Sequence, residues 1–275
     1  MRRLILLLSC CLLLPACASD RVPLAYRNEP GRRLEHRLTL SADITRTLQG
    51  RTVNQQVVAT FLAAQEILSP LPDGGAEATV SLAPESLVVD GRQVEAGPDQ
   101  EFDVLLAPDG RVVEITGGVQ TDVALGPVGI ERLLPRLRPV LPGRPVRPGD
   151  SWSSQTEFAD ESGEFSLSAS SRLRQLGLVS GHRSALVRTT YESPVDRQET
   201  FQNAVARMEG TDVGAQEAWF ALDGFLVRAV GDSVGSYLVT FTSPGGEVGL
   251  APVEAGLVVR LHTEMNLVSE GPAGG

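Results

Sequence analysis

The sequence of 275 residues contains no lysine, and all 24 of its basic residues are arginine. This absence excludes Schiff-base chemistry, a lysine general base and a P-loop, because each of them needs a primary amine. The 34 acidic residues outnumber the basic ones and give a net charge of −10. A nucleic-acid binder would carry a basic face to neutralise phosphates, so this balance argues against that class of protein.

Cysteine is scarce as well, since Cys10, Cys11 and Cys17 all lie near the start of the chain. The remainder of the protein therefore has no disulfide, no cysteine nucleophile and no cysteine-based metal cluster. The 3 histidines are scattered singly, without the His-x-x-x-His spacing of a zinc site. We predict neither a metal nor a cofactor. A chain of this length can bury a sufficient core without crosslinks.

The first residues are typical of an export signal. Arg2 and Arg3 precede an apolar stretch, Leu4–Leu14, that is too short to span a bilayer. The segment Leu14-Pro15-Ala16-Cys17 resembles the lipobox of bacterial lipoproteins. That resemblance implies cleavage after Ala16 and acylation of Cys17. The alternative is an ordinary secretory signal that is cut at Ala16 or Ala18.

The resemblance also implies a location at the cell envelope. In Gram-negative lipoproteins an aspartate directly after the acylated cysteine favours retention in the inner membrane, and this chain has Ala18 there. We therefore expect the acyl chains to hold the protein in the outer membrane, facing the periplasm.

Most of the remaining sequence predicts β-strands. From Leu34 to Leu48 the even positions are largely apolar and the odd positions polar, which is the period of a strand with one wet face. Gln49-Gly50 offers a turn, and Val53–Leu68 could return as a partner strand. The same alternation recurs further along the chain, around residues 165–173 and 257–267.

Three Asp-Gly pairs, at Asp90, Asp109 and Asp223, separate apolar stretches and predict type I′ hairpin turns. Counting roughly a dozen strands, we predict a mostly β protein with a strongly curved antiparallel sheet, a half-barrel or open barrel. The hairpins Phe102–Ile115 and Ala218–Val230 hold similar places before and after an interruption, which raises the alternative of two similar halves.

The interruption spans Thr121–Pro148 and contains a short helical pattern that Pro135 should end, followed by a proline-rich stretch. The predicted organisation is a signal peptide over residues 1–16, a lipidated tether over 17–32, a first β half over 33–120, a helical and proline-rich crossing over 121–149, a second β half over 150–269 and a disordered tail over 270–275.

With its lipobox, long amphipathic strands, helical insert and the PGDSW sequence that ends at Trp152, the chain resembles uncharacterised bacterial lipoproteins. Their organisation is similar to the half-barrel carriers of the Lol type, which hold acyl chains in a concave sheet. The resemblance implies an apolar or amphipathic ligand, a lipid or acyl chain. The residues expected to line its cavity are Leu34, Leu38, Leu40, Ile44, Ile130, Leu133, Phe165 and Leu167.

Two alternatives to a carrier stay open. One is a structural or interaction lipoprotein of an envelope complex that holds no small molecule. The other is a hydrolase, because Gly231–Gly235 matches G-x-S-x-G. A nucleophile elbow needs a helix after its serine, whereas Ser236–Thr242 is rich in residues that favour β-strands. We therefore expect Ser233 in a turn between strands. We predict no catalytic residue.

Arginines are concentrated in the crossing of this acidic protein. Arg132, Arg136 and Arg138 are candidate contacts for an anionic headgroup or a partner's carboxylates. The alternative is a solvated crossing whose arginines pair with the acidic surface of the protein.

Overall fold

The computed structural model describes residues 21–117, 133–160, 163–201, 204–242 and 252–272. These residues form twelve strands and one short helix. In chain order the elements are β1 (Arg32–Leu48), β2 (Arg51–Pro70), β3 (Ala76–Val89), β4 (Arg92–Val94), β5 (Gln100–Leu106), β6 (Val112–Gly117), α1 (Leu134–Leu137), β7 (Ser151–Asp160), β8 (Gly163–Val179), β9 (His182–Phe201), β10 (Ala204–Ala221), β11 (Phe225–Thr242) and β12 (Val253–Pro272).

All twelve strands belong to one sheet, in the order β6-β5-β3-β2-β1-β12-β11-β10-β9-β8-β7, with β4 added beside β3. The strands before and after the crossing lie on opposite sides of the β1–β12 pair. Every neighbouring pair is antiparallel, so the eleven strands of the main path leave edge strands β6 and β7 running in the same direction. These edges lie next to each other, and the sheet is nearly closed with one seam. The predicted fold class, a strongly curved antiparallel sheet, is confirmed.

The two faces of the sheet follow the period of two. Along β1 the even residues from Leu34 to Ile44, including His36, are buried, and the strand then continues to the exposed Leu48. His36 lies among apolar neighbours with its Nε2 2.9 Å from the carbonyl oxygen of Leu226, so it is a hydrogen-bonded core histidine.

The Asp-Gly hairpins form as expected, but only one has the predicted turn type. Asp90 and Gly91 both have positive φ, 49° and 76°, as a type I′ turn requires. At Asp109-Gly110 and Asp223-Gly224 only the glycines are in that region, with φ of 89° and 94°. Both hairpins contain a register shift close to the turn. At each shift a β-bulge accommodates one extra residue, which a regular hairpin with a two-residue turn does not contain.

One end of the sheet is closed by irregular segments, and we call it the closed end. Val22 pairs with Val146, Leu24 is buried, and the Tyr26 hydroxyl donates to the carbonyl oxygen of Pro139 at 2.9 Å. Residues 17–32 were expected to form a tether, but from Val22 onward this segment packs on the body. Trp152 anchors the same end, since its Nε1 donates to the Val140 carbonyl at 2.7 Å.

Two further expectations change. Pro135 lies in the first turn of α1 and does not end the helix, because a proline there removes no helical hydrogen bond. Within the expected tail, residues 270–272 belong to β12 and pair with β1 up to Arg32. In the part of the chain that the structure describes, no helix is long and apolar enough to cross a bilayer.

Candidate functional site

A patch of glycines and polar residues marks the inner face of β10 and β11. In both strands glycine occupies every second inner position, and a polar side chain stands between the glycines. Glycine inside a strand lets other groups approach the backbone closely. The residues of this patch are Gly210, Asp212, Gly214 and Gln216 on β10, and Gly231, Ser233, Gly235 and Tyr237 on β11.

Arg136 of α1 enters this patch. Its Nη2 donates to Asp212 Oδ2 at 2.6 Å, and the two side chains are only 5 % and 4 % exposed. The Tyr237 hydroxyl donates a short hydrogen bond to Asp212 Oδ1, and Gln216 Nε2 donates to the Arg136 carbonyl at 2.9 Å. Both carboxylate oxygens of Asp212 are therefore engaged, and the short helix is held to the sheet by a buried ion pair and a backbone contact.

Two tyrosines belong to this buried cluster. Burial raises the pKa of the Tyr237 hydroxyl far above its ordinary value, and the neighbouring Asp212 carboxylate raises that pKa further. Burial also raises the pKa of Tyr191, against the opposing effect of the Arg136 charge. The Arg136 guanidinium lies 5.9 Å from the Tyr191 ring centre. Both hydroxyls stay protonated at neutral pH, and that of Tyr237 donates to Asp212.

The glycines provide the space for these side chains. A Cβ added to Gly235 would overlap both the Tyr237 hydroxyl and Asp212 Oδ1, and one added to Gly214 would overlap the Tyr191 ring. The polar cluster therefore requires glycine at these positions for steric reasons, although neither has a positive φ.

The space beside Arg136 is small. It is lined by Leu133, Leu137, Gln216 and Leu261 among others and offers about 10 Å³, roughly the room of one water molecule. Arg136 Nε has no hydrogen-bond partner among the described residues. The site can hold the insert in place, but it is too small for an organic ligand in this conformation.

The G-x-S-x-G motif has a different role from the one its pattern suggests. Ser233 lies within β11, neither in a nucleophile elbow nor in the turn that we predicted. His262 Nδ1 is 2.8 Å from Asp232 Oδ1, but both side chains are exposed. Because neighbouring strand residues point to opposite faces, Asp232 cannot join Ser233 in a triad. No group of three or more potential metal ligands occurs in the described ranges.

The predicted cavity residues lie on the inner face, but in three separate clusters. Leu38, Leu40, Ile44 and Leu133 share the main core. Leu34 packs with Phe225 at the closed end. Phe165 and Leu167 form a small group beside Tyr191. All of them are buried by protein atoms. Ile130 and Cys17 lie outside the described residues.

The arginines of the crossing contact protein groups. Arg136 pairs with Asp212, so an anionic ligand would have to displace that carboxylate. Arg138 donates a short hydrogen bond to the Gln65 side chain, and its guanidinium lies 4.4 Å from the Tyr26 ring centre. Burial raises the pKa of Tyr26 to about 12, although the Arg138 charge lowers it. Arg132 lies outside the described residues.

The end opposite the closed one exposes apolar side chains on the inner face, and we call these residues the apolar rim. Their exposed fractions are 43 % for Leu48, 61 % for Val53, 38 % for Phe241 and 39 % for Val253. They lie on the four adjacent strands β2, β1, β12 and β11. Phe241 is opposite Val253, and Leu48 is opposite Ala255, the next inner-face residue of β12. The rim continues the core, because Val239, two residues before Phe241, packs against the main cluster.

Sequence reasoning missed both the polar cluster and the rim. The signal for the cluster was present in Gly210–Gln216 and Gly231–Tyr237, where glycine alternates with a polar residue at the period of a strand. A signal for the rim was that the apolar even positions of β1 continue to Leu48. The sequence does not show how far the core extends along the strand, and this decides which of these apolar residues are exposed.

Comparison with known proteins assigns no family. No family profile matches the chain, and no curated protein matches it significantly. Among solved structures it is similar to lipovitellin, studied for its lipid–protein interactions, with a TM-score of 0.46 and 10 % identity over 90 % of this chain and 26 % of that one. The chain thus spans about a quarter of the lipovitellin chain.

Two bacterial structures are also similar. One is a protein with a YmcC-like fold from Bacteroides fragilis NCTC 9343, with a TM-score of 0.29 and 12 % identity over 90 % of this chain and 99 % of that one. The other is a DUF1329 family protein from Desulfovibrio piger ATCC 29098, with a TM-score of 0.20 and 10 % identity over 87 % and 86 %. At these scores the likenesses identify neither a ligand nor an activity.

Proposed function

We propose that the protein is an exported lipoprotein, anchored at the cell envelope through Cys17, that binds an apolar or amphipathic ligand such as an acyl chain. The ligand enters at the apolar rim, Leu48, Val53, Phe241 and Val253, and lies along the inner face of the sheet. The observation that carries this proposal is the difference between the two ends of the sheet.

The closed end is sealed by Leu24, Tyr26 and residues 139–146, whereas the rim leaves aliphatic and aromatic inner-face residues in contact with water. Single exposed apolar residues need no explanation, but four on adjacent strands, continuous with the core, form a patch of the kind that binds apolar partners. Acyl chains suit the patch, because aliphatic residues form most of its surface and impose no planar geometry.

The interior beneath α1 is filled, and this limits how deep a ligand can reach. Because the free volume beside Arg136 is only about 10 Å³, an acyl chain that enters at the rim must stop at α1 or displace it. The buried Arg136–Asp212 pair opposes displacement. We therefore place the ligand between the rim and the polar cluster and not in the positions of Leu34, Phe165 and Leu167.

The test measures the binding of a fluorescent fatty acid, at micromolar concentration, to the full chain carrying Cys17→Ser. This substitution removes the acyl anchor, so that the protein can be studied without detergent. Phe241→Asp is expected to weaken uptake at least ten-fold, because it places a charge where the apolar chain must lie. Leu238→Asp is the matched control: the residue is 44 % exposed on the outer face of the same strand. If both variants lose fatty-acid binding equally, at unchanged melting temperature, entry of the ligand at the rim is refuted.

The filled interior favours a second candidate, a structural or interaction lipoprotein with no small-molecule ligand. In that case the rim would be a protein contact. If the protein without substitutions on its inner face binds no fatty acid, and mass spectrometry finds no lipid in the purified protein, this second candidate replaces the carrier.

A further inference from the structure

We propose that the ligand at the rim carries a phosphate headgroup, which Arg46 and Arg51 bind. This inference rests on the proposed function and specifies the chemistry of the ligand. It derives from the charged residues that share the inner face with the apolar rim.

Arg46 and Arg51 alternate with the apolar residues of the rim. Arg46 is opposite Val53 across the β1–β2 pair, and Arg51 is opposite Leu48. Residues directly opposite each other in an antiparallel pair point to the same face of the sheet. Both arginines therefore point to the inner face, as the rim residues do. They are diagonal neighbours, with Cα atoms about 7–8 Å apart.

On the four strands that carry the rim, no inner position at this end is a carboxylate. The inner positions of the four strands beyond the core are Arg46, Leu48, Arg51, Val53, Gln55, Phe241, Val253 and Ala255. The nearest acidic residues on these strands, Asp43 and Glu254, occupy positions of the opposite parity and face outward. Two positive charges thus stand among apolar side chains in a protein whose net charge is −10.

Neither arginine forms an ion pair with a described residue. Both are exposed, and Arg46 Nη1 donates to Gln55 Oε1 at 2.9 Å, which leaves its charge uncompensated. Several other arginines of the same strands have carboxylate partners, such as Arg37 with Glu85 at 3.0 Å and Arg32 with Glu270 at 2.6 Å. An apolar strip with unpaired guanidinium groups at its border is complementary to an amphiphile with an anionic head.

Phosphate fits two guanidinium groups better than carboxylate does. One arginine can engage both oxygens of a carboxylate through its fork of donors, so the second arginine would contribute little. A phosphate offers more acceptor oxygens and can be held from two sides. From their diagonal positions the long side chains of Arg46 and Arg51 can converge on one such group.

The experiment compares three single-chain amphiphiles of equal length, dodecyl phosphate, laurate and dodecyl maltoside, below their micellar concentrations. Each amphiphile is titrated into the full chain carrying Cys17→Ser, and calorimetry measures its affinity. We expect dodecyl phosphate to bind at least ten-fold more tightly than the neutral maltoside, and its affinity to fall as salt is added. Arg46→Gln combined with Arg51→Gln should remove that difference and leave maltoside binding unchanged.

The control is Arg260→Gln, which removes an exposed arginine from the outer face, opposite Asp43. It should leave all three affinities unchanged. Equal binding of the three amphiphiles, or no effect of the double substitution, would overturn the headgroup assignment while the carrier function stands. Preference for laurate would assign a fatty acid instead of a phosphate. If none of the three binds, the carrier function itself fails, and binding to anionic vesicles alone would identify the rim as a membrane-contact surface.

Discussion

The guanidinium group of Arg136 and the carboxylate of Asp212 lie 2.6 Å apart in the interior of the sheet, 76 residues apart in the chain. The pair joins α1 to the middle of β10. Taking two charges out of water is costly, and the hydrogen bond from Tyr237 to Asp212 offsets part of that cost. Gln216 in addition holds the backbone carbonyl of Arg136. The insert is therefore held in one defined position by polar groups, within a core that is largely apolar.

Breaking this pair should destabilise the protein strongly. Asp212→Ala leaves a buried guanidinium without its counter-charge and is expected to lower the free energy of unfolding by about 3–5 kcal/mol, measured by urea denaturation. The double variant Arg136→Met, Asp212→Leu should lose less than the single one, because it leaves no unpaired charge. Arg207→Ala is the control, since its pair with Asp196 is exposed and contributes little. Equal effects of Asp212→Ala and Arg207→Ala would contradict the buried pair.

Gly235 should tolerate no side chain. Gly235→Ala places a Cβ on the Tyr237 hydroxyl and Asp212 Oδ1, and we expect a loss of about 1–3 kcal/mol in unfolding free energy. Gly256→Ala on β12 is the matched control. Its added Cβ would meet only Thr47 Cβ at 3.9 Å, so stability should stay the same or rise. Thermal unfolding followed by circular dichroism compares the two variants.

Acidification should destabilise the protein through His36. Burial lowers the pKa of His36 below its ordinary value of 6.5, against the smaller opposing effect of its hydrogen bond to Leu226. The unfolded chain then binds a proton at a higher pH than the folded chain. The contribution of His36 to stability is complete above about pH 6.5 and is lost as the pH falls from there toward the folded-state pKa.

In that window the unfolding free energy should fall by up to about 1.4 kcal/mol per pH unit. The measurement is urea denaturation between pH 7.5 and 5. His36→Gln keeps a donor for the Leu226 carbonyl and should flatten the slope. A slope that His36→Gln leaves unaltered would assign the acid sensitivity to other groups.

The anchor is tested by Cys17→Ser. Serine cannot form the thioether through which a lipobox cysteine is acylated, so the variant should move from the membrane fraction to the soluble fraction. Palmitate labelling should disappear with it. Cys11→Ser is the control and should leave both unchanged. Membrane association of Cys17→Ser after a salt wash would refute lipid anchoring at this residue.

The long strands and the positions of the Asp-Gly turns could be predicted from the sequence because both are local properties. The alternation from Leu34 to Ile44 follows directly from burial of one face, and Asp90-Gly91 forms its turn because both residues tolerate positive φ. The turn types at Asp109 and Asp223 were predicted wrongly, since the bulges that alter them depend on how the paired strands twist.

The candidate site depended on contacts that no local pattern contains. The sequence by itself determined that the protein is an antiparallel β protein with one apolar face and, apart from Cys17, a thiol-free body. Only the tertiary structure decided that Arg136 faces inward to Asp212, that Ser233 belongs to a strand, and that Leu48 is exposed while Leu40 is buried. Periodicity determines the face on which a side chain lies, but burial and charge pairing depend on which distant segments cover that face.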